Sequence, residues 1–165
     1  MNHGVENVSV REAQPTDCLS IRQLALDANI DAWSEADYIE EIARPDSYVL
    51  KAVDEVSICG FLLARTVAGT TERPDVDLYN IAVRPDKLHQ GVGSALMNQL
   101  LRHLDSTNVA NIWLEVRASN LTAISFYEKH GFIAELTRPN FYTNPVENAV
   151  IMRLRISPAE DVNTM

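Results

Sequence analysis

The hydrophobic period changes partway along this chain, and that change limits the fold more than any other feature. Asp77-Leu78-Tyr79-Asn80-Ile81-Ala82-Val83 reads as a strand stopped by Pro85, because proline offers no N–H to a ladder. Gly91-Val92-Gly93 follows, and then Val92, Leu96, Leu100 and Leu104 recur at helical spacing. That recurrence predicts an amphipathic helix with one buried face. A strand that runs through a glycine-bearing loop into such a helix belongs to a mixed α/β architecture.

The flanking segments read in the same terms. Val8-Ser9-Val10-Arg11-Glu12-Ala13 alternates as a strand, and Pro15-Thr16-Asp17 starts a helix in which Leu19, Gln23, Leu24 and Leu26 set the spacing. Ser34-Glu35-Ala36-Asp37 has the form of a capping box with Asp in the usual place of Glu or Gln. It opens a second helix through Tyr38, Ile39 and Ile42 that ends before Pro45. Ser47 to Val53 and Val56 to Val67 read as a hairpin around Asp54-Glu55, and Asn111 to Val116 as a strand. Asn120 caps a helix carrying Ile124, Phe126 and Tyr127, with Gly131 as its C-cap. Strands from Phe132 to Arg138 and from Glu147 to Ile156 close the order β-α-α-β-β-β-α-β-α-β-β. This is an α/β fold around a mostly antiparallel sheet. No repeat or Gly/Ser linker divides the chain, so residues 1–165 are expected to form one domain with a core at about 8–156 and loose ends at 1–6 and Ser157 to Met165.

Composition excludes several classes. Acids outnumber bases 23 to 14, for a formal charge of −9 and a pI near 4.8, which argues against binding nucleic acid through a bulk field. Residues 1–80 hold 15 acids and 6 bases, whereas residues 81–165 hold 8 of each. The second half is therefore neutral and free to meet an anion. No apolar run approaches the roughly 20 residues of a membrane span. Met1-Asn2-His3-Gly4-Val5-Glu6 shows no basic region followed by an apolar stretch, so no signal peptide is expected. Cys18 and Cys59 stand in no metal-ligand spacing with the four histidines, and two buried thiols in a reducing cytoplasm are expected. No metal is called for.

Two constellations carry chemistry. In Gln90-Gly91-Val92-Gly93-Ser94 the free N–H groups and dipole of a helix start favour an anion, and glycine lets a phosphate approach the backbone. Position 96 is Leu and no Gly-Lys-Ser/Thr follows, which excludes the dinucleotide fingerprint and the Walker loop; a plain turn is the alternative. The second is Trp113-Leu114-Glu115-Val116-Arg117-Ala118-Ser119-Asn120 with Phe126-Tyr127. Ile112, Leu114 and Val116 share one strand face, so Glu115 lies on the other, beside Trp113 and Arg117. Glu115 is then either a salt-bridge partner of Arg117 or, in apolar surroundings, a carboxylate raised toward general-base work. Tyr127 is equally readable as a core aromatic anchored by its hydroxyl.

The strand-loop-helix segment resembles the GNAT superfamily of Gcn5-related N-acetyltransferases, whose pyrophosphate loop is written Arg/Gln-x-x-Gly-x-Gly/Ala. Gly91 and Gly93 match, and Leu88 departs from the leading Arg or Gln, leaving Lys87 and His89 as the neighbouring donors. Ile112 to Asn120 and Ala123 to Glu128 resemble the RimI branch, the ribosomal-protein-S18-alanine N-acetyltransferases. Ala32-Trp33-Ser34-Glu35, Tyr79 to Val83, Asn140-Phe141-Tyr142 and Glu147 to Met152 agree, so the likeness covers about residues 8–156. It implies a mixed, mostly antiparallel sheet of about seven strands flanked by four helices.

The resemblance also implies roles. The backbone of Ile81, Ala82 and Val83 would pair with the pantetheine arm of acetyl-CoA, and His89, Gln90, Gly91, Val92, Gly93 and Ser94 would hold its pyrophosphate. Asn120 would contact the same cofactor, a role compatible with capping a helix. Glu115 would accept a proton from the attacking amine and Tyr127 would donate one to the departing thiolate. Trp33, Glu35 and Tyr142 would shape the acceptor groove; read without the family they are a half-buried aromatic, a first-turn acid and a turn tyrosine. Phe141 stands where the branch often has a second tyrosine. The implied partner is the N-terminal peptide of ribosomal protein S18, whose basic start the acids of residues 1–80 would suit. The alternatives are a GNAT enzyme for other N-termini, lysines or small amines, and a non-catalytic acyl-CoA-binding module.

Overall fold

A computed structural model of the chain describes residues 7–30 and 33–157. The expected loose ends lie outside the described residues, apart from Ser157, and so does Ala32. Among the described residues seven strands form one sheet in the order β1-β2-β3-β4-β5-β7-β6, with four α-helices, as expected for the GNAT α/β fold. The chain divides into two compact units. One comprises residues up to Arg65 with Tyr79–Asp105; the other comprises Thr66–Leu78 with residues from Ser106 onward.

The first unit holds β1 (Ser9–Glu12), α1 (Cys18–Asp27), α2 (Glu35–Ala43), β2 (Ser47–Val53), most of β3 (Ile58–Val67), the end of β4 (Asp75–Val83) and α3 (Val92–Leu104). The capping box before α2 forms in full: Ser34 Oγ accepts the Asp37 N–H and the Asp37 carboxylate accepts the Ser34 N–H, each at 3.1 Å. β3 starts two residues later than expected, at Ile58, because the Asp54 carboxylate accepts the N–H groups of Val56 and Ser57 and draws both into the turn.

The apolar face of α1 also differs from the expectation. A 3-10 turn at Pro15–Asp17 precedes the helix, and the buried residues are Cys18, Ile21, Leu24 and Ala25, whereas Leu19 and Leu26 are exposed. The buried stripe uses small residues that hydrophobic spacing underweights. α3 follows its pattern, with Val92, Leu96, Leu100 and Leu104 buried. It packs so closely that a Cβ on Gly60 would stand 3.0 Å from the Ala82 carbonyl oxygen, 3.1 Å from Val92 and 3.2 Å from Leu96. Tyr38, Phe61 and Leu63 complete this unit's core.

The second unit holds the start of β4, β5 (Asn111–Arg117), α4 (Leu121–Lys129), β6 (Ile133–Thr143) and β7 (Val146–Arg155). β4 pairs with β5 in parallel through Val76↔Ile112 and Asp77↔Trp113; β5–β7 and β7–β6 are antiparallel. Asp75, almost wholly buried, accepts hydrogen bonds from Asn111 Nδ2 and Trp113 Nε1, both at 2.9 Å, which satisfies its charge.

β6 runs five residues beyond the expected end at Arg138. Pro139 and a left-handed Asn140 (φ 51°) interrupt its alternation, and the pairing resumes with Tyr142↔Glu147. Among the described residues no helix is long and apolar enough to cross a membrane.

Candidate active site

The glycine loop is built from its ends inward. Arg84 donates to Asp86 at 2.6 Å, to Ser57 at 2.7 Å and to Asp54 at 2.8 Å, while its N–H reaches the Cys59 carbonyl at 2.8 Å. Gln90 Nε2 donates to the Asp86 carbonyl at 2.8 Å, so its side chain braces the loop. Gly91 has φ 84°, a left-handed conformation that disfavours a Cβ. The first backbone bond of α3 runs from Ala95 N–H to Gly91 O at 2.9 Å, and Gly91 offers no capping side chain. The amides of Val92, Gly93 and Ser94 therefore have no helical acceptor before them, and together they form a donor set suited to an anion.

Leu88 is exposed, and of its neighbours Lys87 lies 3.8 Å from the Asp54 carboxylate while His89 is exposed with φ 59°. The end of β4 leads into this loop, with Ala82 buried and Ile81 and Val83 half-buried.

On the expected acceptor side of the first unit, Trp33 is half-buried and stacks on Tyr38 at 5.7 Å. Tyr79 lies at 5.9 Å from the same indole and beneath the Arg65 guanidinium at 5.5 Å. Arg65 is in turn ion-paired with the buried Glu41, which also accepts from Ser47. Tyr79 is a site candidate that sequence reasoning does not single out. An aromatic at an outward position of a strand is the signal that marks it. Glu35 is an exposed acid in the first turn of α2.

In the second unit Trp113, Glu115 and Arg117 alternate along one face of β5. Glu115 does not pair with Arg117. Its Oε1 accepts from Arg138 Nη1 at 3.1 Å, and Arg117 pairs with Glu147 at 3.3 Å. Neither partner stands directly opposite: Arg138 lies on β6, two strands from β5, and Glu147 lies two places along β7 from Ala149, which faces Arg117, so both pairs are made by long side chains reaching across the sheet face. Nor is Glu115 enclosed by apolar groups, since 40% of its side chain is exposed.

Tyr127, by contrast, is buried, with its ring against Phe126 at 5.4 Å and Phe132 at 5.6 Å. Burial pushes its hydroxyl pKa well above the ordinary range, with a smaller contribution from Tyr142. Asn120 Oδ1 accepts the Ala123 N–H at 3.1 Å, which realises its capping role. Tyr142 lies in β6 rather than in a turn, with the Arg117 guanidinium 4.1 Å from its ring centroid. Arg138 spans Glu115 and the ring of Phe141, at 5.9 Å. The sequence marks Arg117 only as a partner for Glu115 and does not mark Arg138, because cross-strand pairing is invisible there. Both cysteines are buried free thiols, with pKa values raised by burial.

A sequence profile of the acetyltransferase (GNAT) family matches residues 18–132. The Escherichia coli protein named ribosomal protein bS18-alanine N-acetyltransferase is 48% identical over 85 residues, which are 50% of this chain and 57% of that protein. The match thus spans little more than half of that relative's length. The Salmonella typhimurium protein of the same name is 34% identical over 145 residues, covering 86% of this chain and 93% of that one. The crystal structure of the ribosomal-protein-S18-alanine N-acetyltransferase from Escherichia coli superposes with a TM-score of 0.81 at 31% identity, covering 96% of this chain and 99% of that one. With the strand-loop-helix geometry and these likenesses in agreement, the chain belongs to the acetyltransferase (GNAT) family.

Proposed function

We propose that this chain, acting as a single domain, transfers the acetyl group of acetyl-CoA to the α-amine of a protein that begins with alanine, with ribosomal protein S18 as the acceptor. The observation that carries the mechanism is the contrast within one unit: Glu115 is reachable from solvent, while Tyr127 is buried and keeps its proton. A peptide α-amine has a pKa of about 7.7–8.0 and is largely protonated at neutral pH. Glu115, directly or through a water, takes that proton. The amine lone pair forms the new C–N bond at the thioester carbonyl, the C–S bond breaks, Tyr127 gives its proton to the thiolate, and the second proton lost by the acylated nitrogen passes through water to restore the Tyr127 hydroxyl.

The donor set at the start of α3 fits the diphosphate of acetyl-CoA, with His89 and Gln90 leading into it and Val92, Gly93 and Ser94 supplying amides. The backbone of Ile81, Ala82 and Val83 is assigned to the pantetheine arm and Asn120 to a further contact. Trp33, Glu35 and Tyr142 are assigned to the acceptor peptide. The names of the relatives support this acceptor, and a reducing cytoplasm is the compartment it implies.

A panel of peptides beginning with alanine or with other residues, set beside lysine peptides, polyamines and aminoglycosides, tests the assignment. Turnover is expected on the alanine-initiated basic peptide, and Glu115→Gln and Tyr127→Phe are each expected to lower kcat by about 10²–10⁴-fold. Unchanged turnover in Glu115→Gln removes Glu115 from the mechanism, and turnover confined to small amines replaces the acceptor. A second reading, acetylation of other amines, draws on Phe141, which has no hydroxyl to offer a peptide.

A further inference from the structure

We infer that Arg117 is the positioning residue of the acceptor side: it holds the β6–β7 hairpin, and with it Tyr142, in the place from which an acceptor peptide is bound. The inference rests on the acetyl-transfer reading above.

The hairpin's own ladder is irregular on the way to its tip. Arg138 pairs with Ala149 and Tyr142 with Glu147, so β6 advances four residues while β7 advances two. The surplus is taken up by Pro139, which has no N–H, and by the left-handed Asn140, whose N–H goes to the Asn148 side chain at 3.0 Å. Beyond the irregularity the ladder resumes for two pairs, Tyr142↔Glu147 and Thr143↔Val146, a short stretch to set the height of the tip above the sheet. Burial supplies little restraint, because β6 is exposed along almost its whole length.

Arg117 adds a restraint from the last position of β5. Its guanidinium lies 4.1 Å from the Tyr142 ring centroid. Nη1 donates to the Pro145 carbonyl and to Glu147 Oε2, and Nη2 donates to the Asn144 carbonyl, each at 3.3 Å. Glu147 Oε1 accepts the Ser119 N–H at 2.6 Å, which ties the turn after β5 to the same carboxylate. One planar group thus holds a ring, two carbonyls and a carboxylate. Lysine, a point charge on a flexible stem, cannot reproduce that set. Arg117 is two residues from Glu115 on the same face of β5, so the hairpin is referenced to the strand that carries the proposed base.

The test compares the full chain with Arg117→Lys, Arg117→Ala and Glu147→Gln in two arms. In steady-state kinetics, KM for the acceptor peptide is expected to rise tenfold or more in both Arg117 variants and less in Glu147→Gln. KM for acetyl-CoA is expected to stay within twofold, and kcat within a few-fold. In hydrogen exchange, the amides of residues 140–144 and of Val146 are expected to lose protection in Arg117→Lys while those of β5 paired with β7 keep theirs. Unchanged exchange at 140–144 and Val146, or an acetyl-CoA KM that rises in parallel with the peptide KM, overturns the assignment. Loss of protection across β5 as well marks Arg117 as a general structural residue and also overturns it. If the unsubstituted chain acetylates no amine at all, the acetyl-transfer reading fails by itself, and the exchange arm still decides whether Arg117 holds the hairpin.

Discussion

Asp54 gathers the N–H groups of Ser57 and Val56, the Arg84 guanidinium and, more distantly, Lys87 on a single carboxylate. Those partners, with the Ser57 amide foremost, hold its pKa at about 2, against about 3.9 in an unfolded chain. A carboxyl whose pKa falls on folding stabilises the fold above its unfolded value, and that contribution is lost as the pH drops through the folded one. Asp54→Asn is therefore expected to lower Tm by a constant amount above about pH 5, with the gap to the unsubstituted chain closing between about pH 4 and pH 2. Thermal melts across that range check it, and a gap that widens toward pH 2 refutes it. The residue scale is also where the sequence is least legible. Asp54 is readable as a turn residue from its type, but its ties to Arg84 and Lys87 and the Glu115–Arg138 pair depend on which strands and loops meet, which local spacing does not encode.

α3 is the element the sequence describes best, because four large apolar residues at regular spacing outweigh any competing pattern. The spacing misleads at α1, since its buried stripe includes a cysteine and an alanine while two leucines face out. The far end of β6 is not legible, as its pairing with β7 resumes after Pro139 and Asn140 have broken the alternation. Gly60 shows how packing between elements governs the proposed cofactor loop. A methyl group there would press on the Ala82 carbonyl and on two side chains of α3, so β4 and the helix would have to separate by a few tenths of an ångström. Gly60→Ala is expected to cost about 1–3 kcal/mol of stability and to weaken acetyl-CoA binding, because Ala82 and the start of α3 carry the proposed cofactor contacts. Denaturant melts and calorimetry measure the two effects, and a stable variant with unaltered acetyl-CoA affinity contradicts the coupling.

For the whole molecule, the α/β class and element order are legible because each element carries its own period and its own stop signals. The family resemblance rests on the combination of the glycine loop with the segment from Ile112 to Asn120. What lies outside local pattern is the set of cross-strand charge pairs. The net charge of −9 has a bearing on solution behaviour when set beside the sheet order, which ends at β6. The outer edge of β6 is a row of backbone groups beside exposed Ile133, Leu136 and Phe141, the kind of edge on which another chain could continue a sheet. Pro139 and the left-handed Asn140 break that row near its middle. The same irregularity that Arg117 is proposed to brace also blunts a template for aggregation. Replacing both residues, as in Pro139→Val with Asn140→Thr, is expected to make light scattering rise with concentration and faster with added salt, since screening removes the repulsion between acidic molecules. Scattering that stays flat for this variant would show that charge alone keeps the chains apart; a rise would mean that a proline and an asparagine guard the colloidal stability of the whole protein.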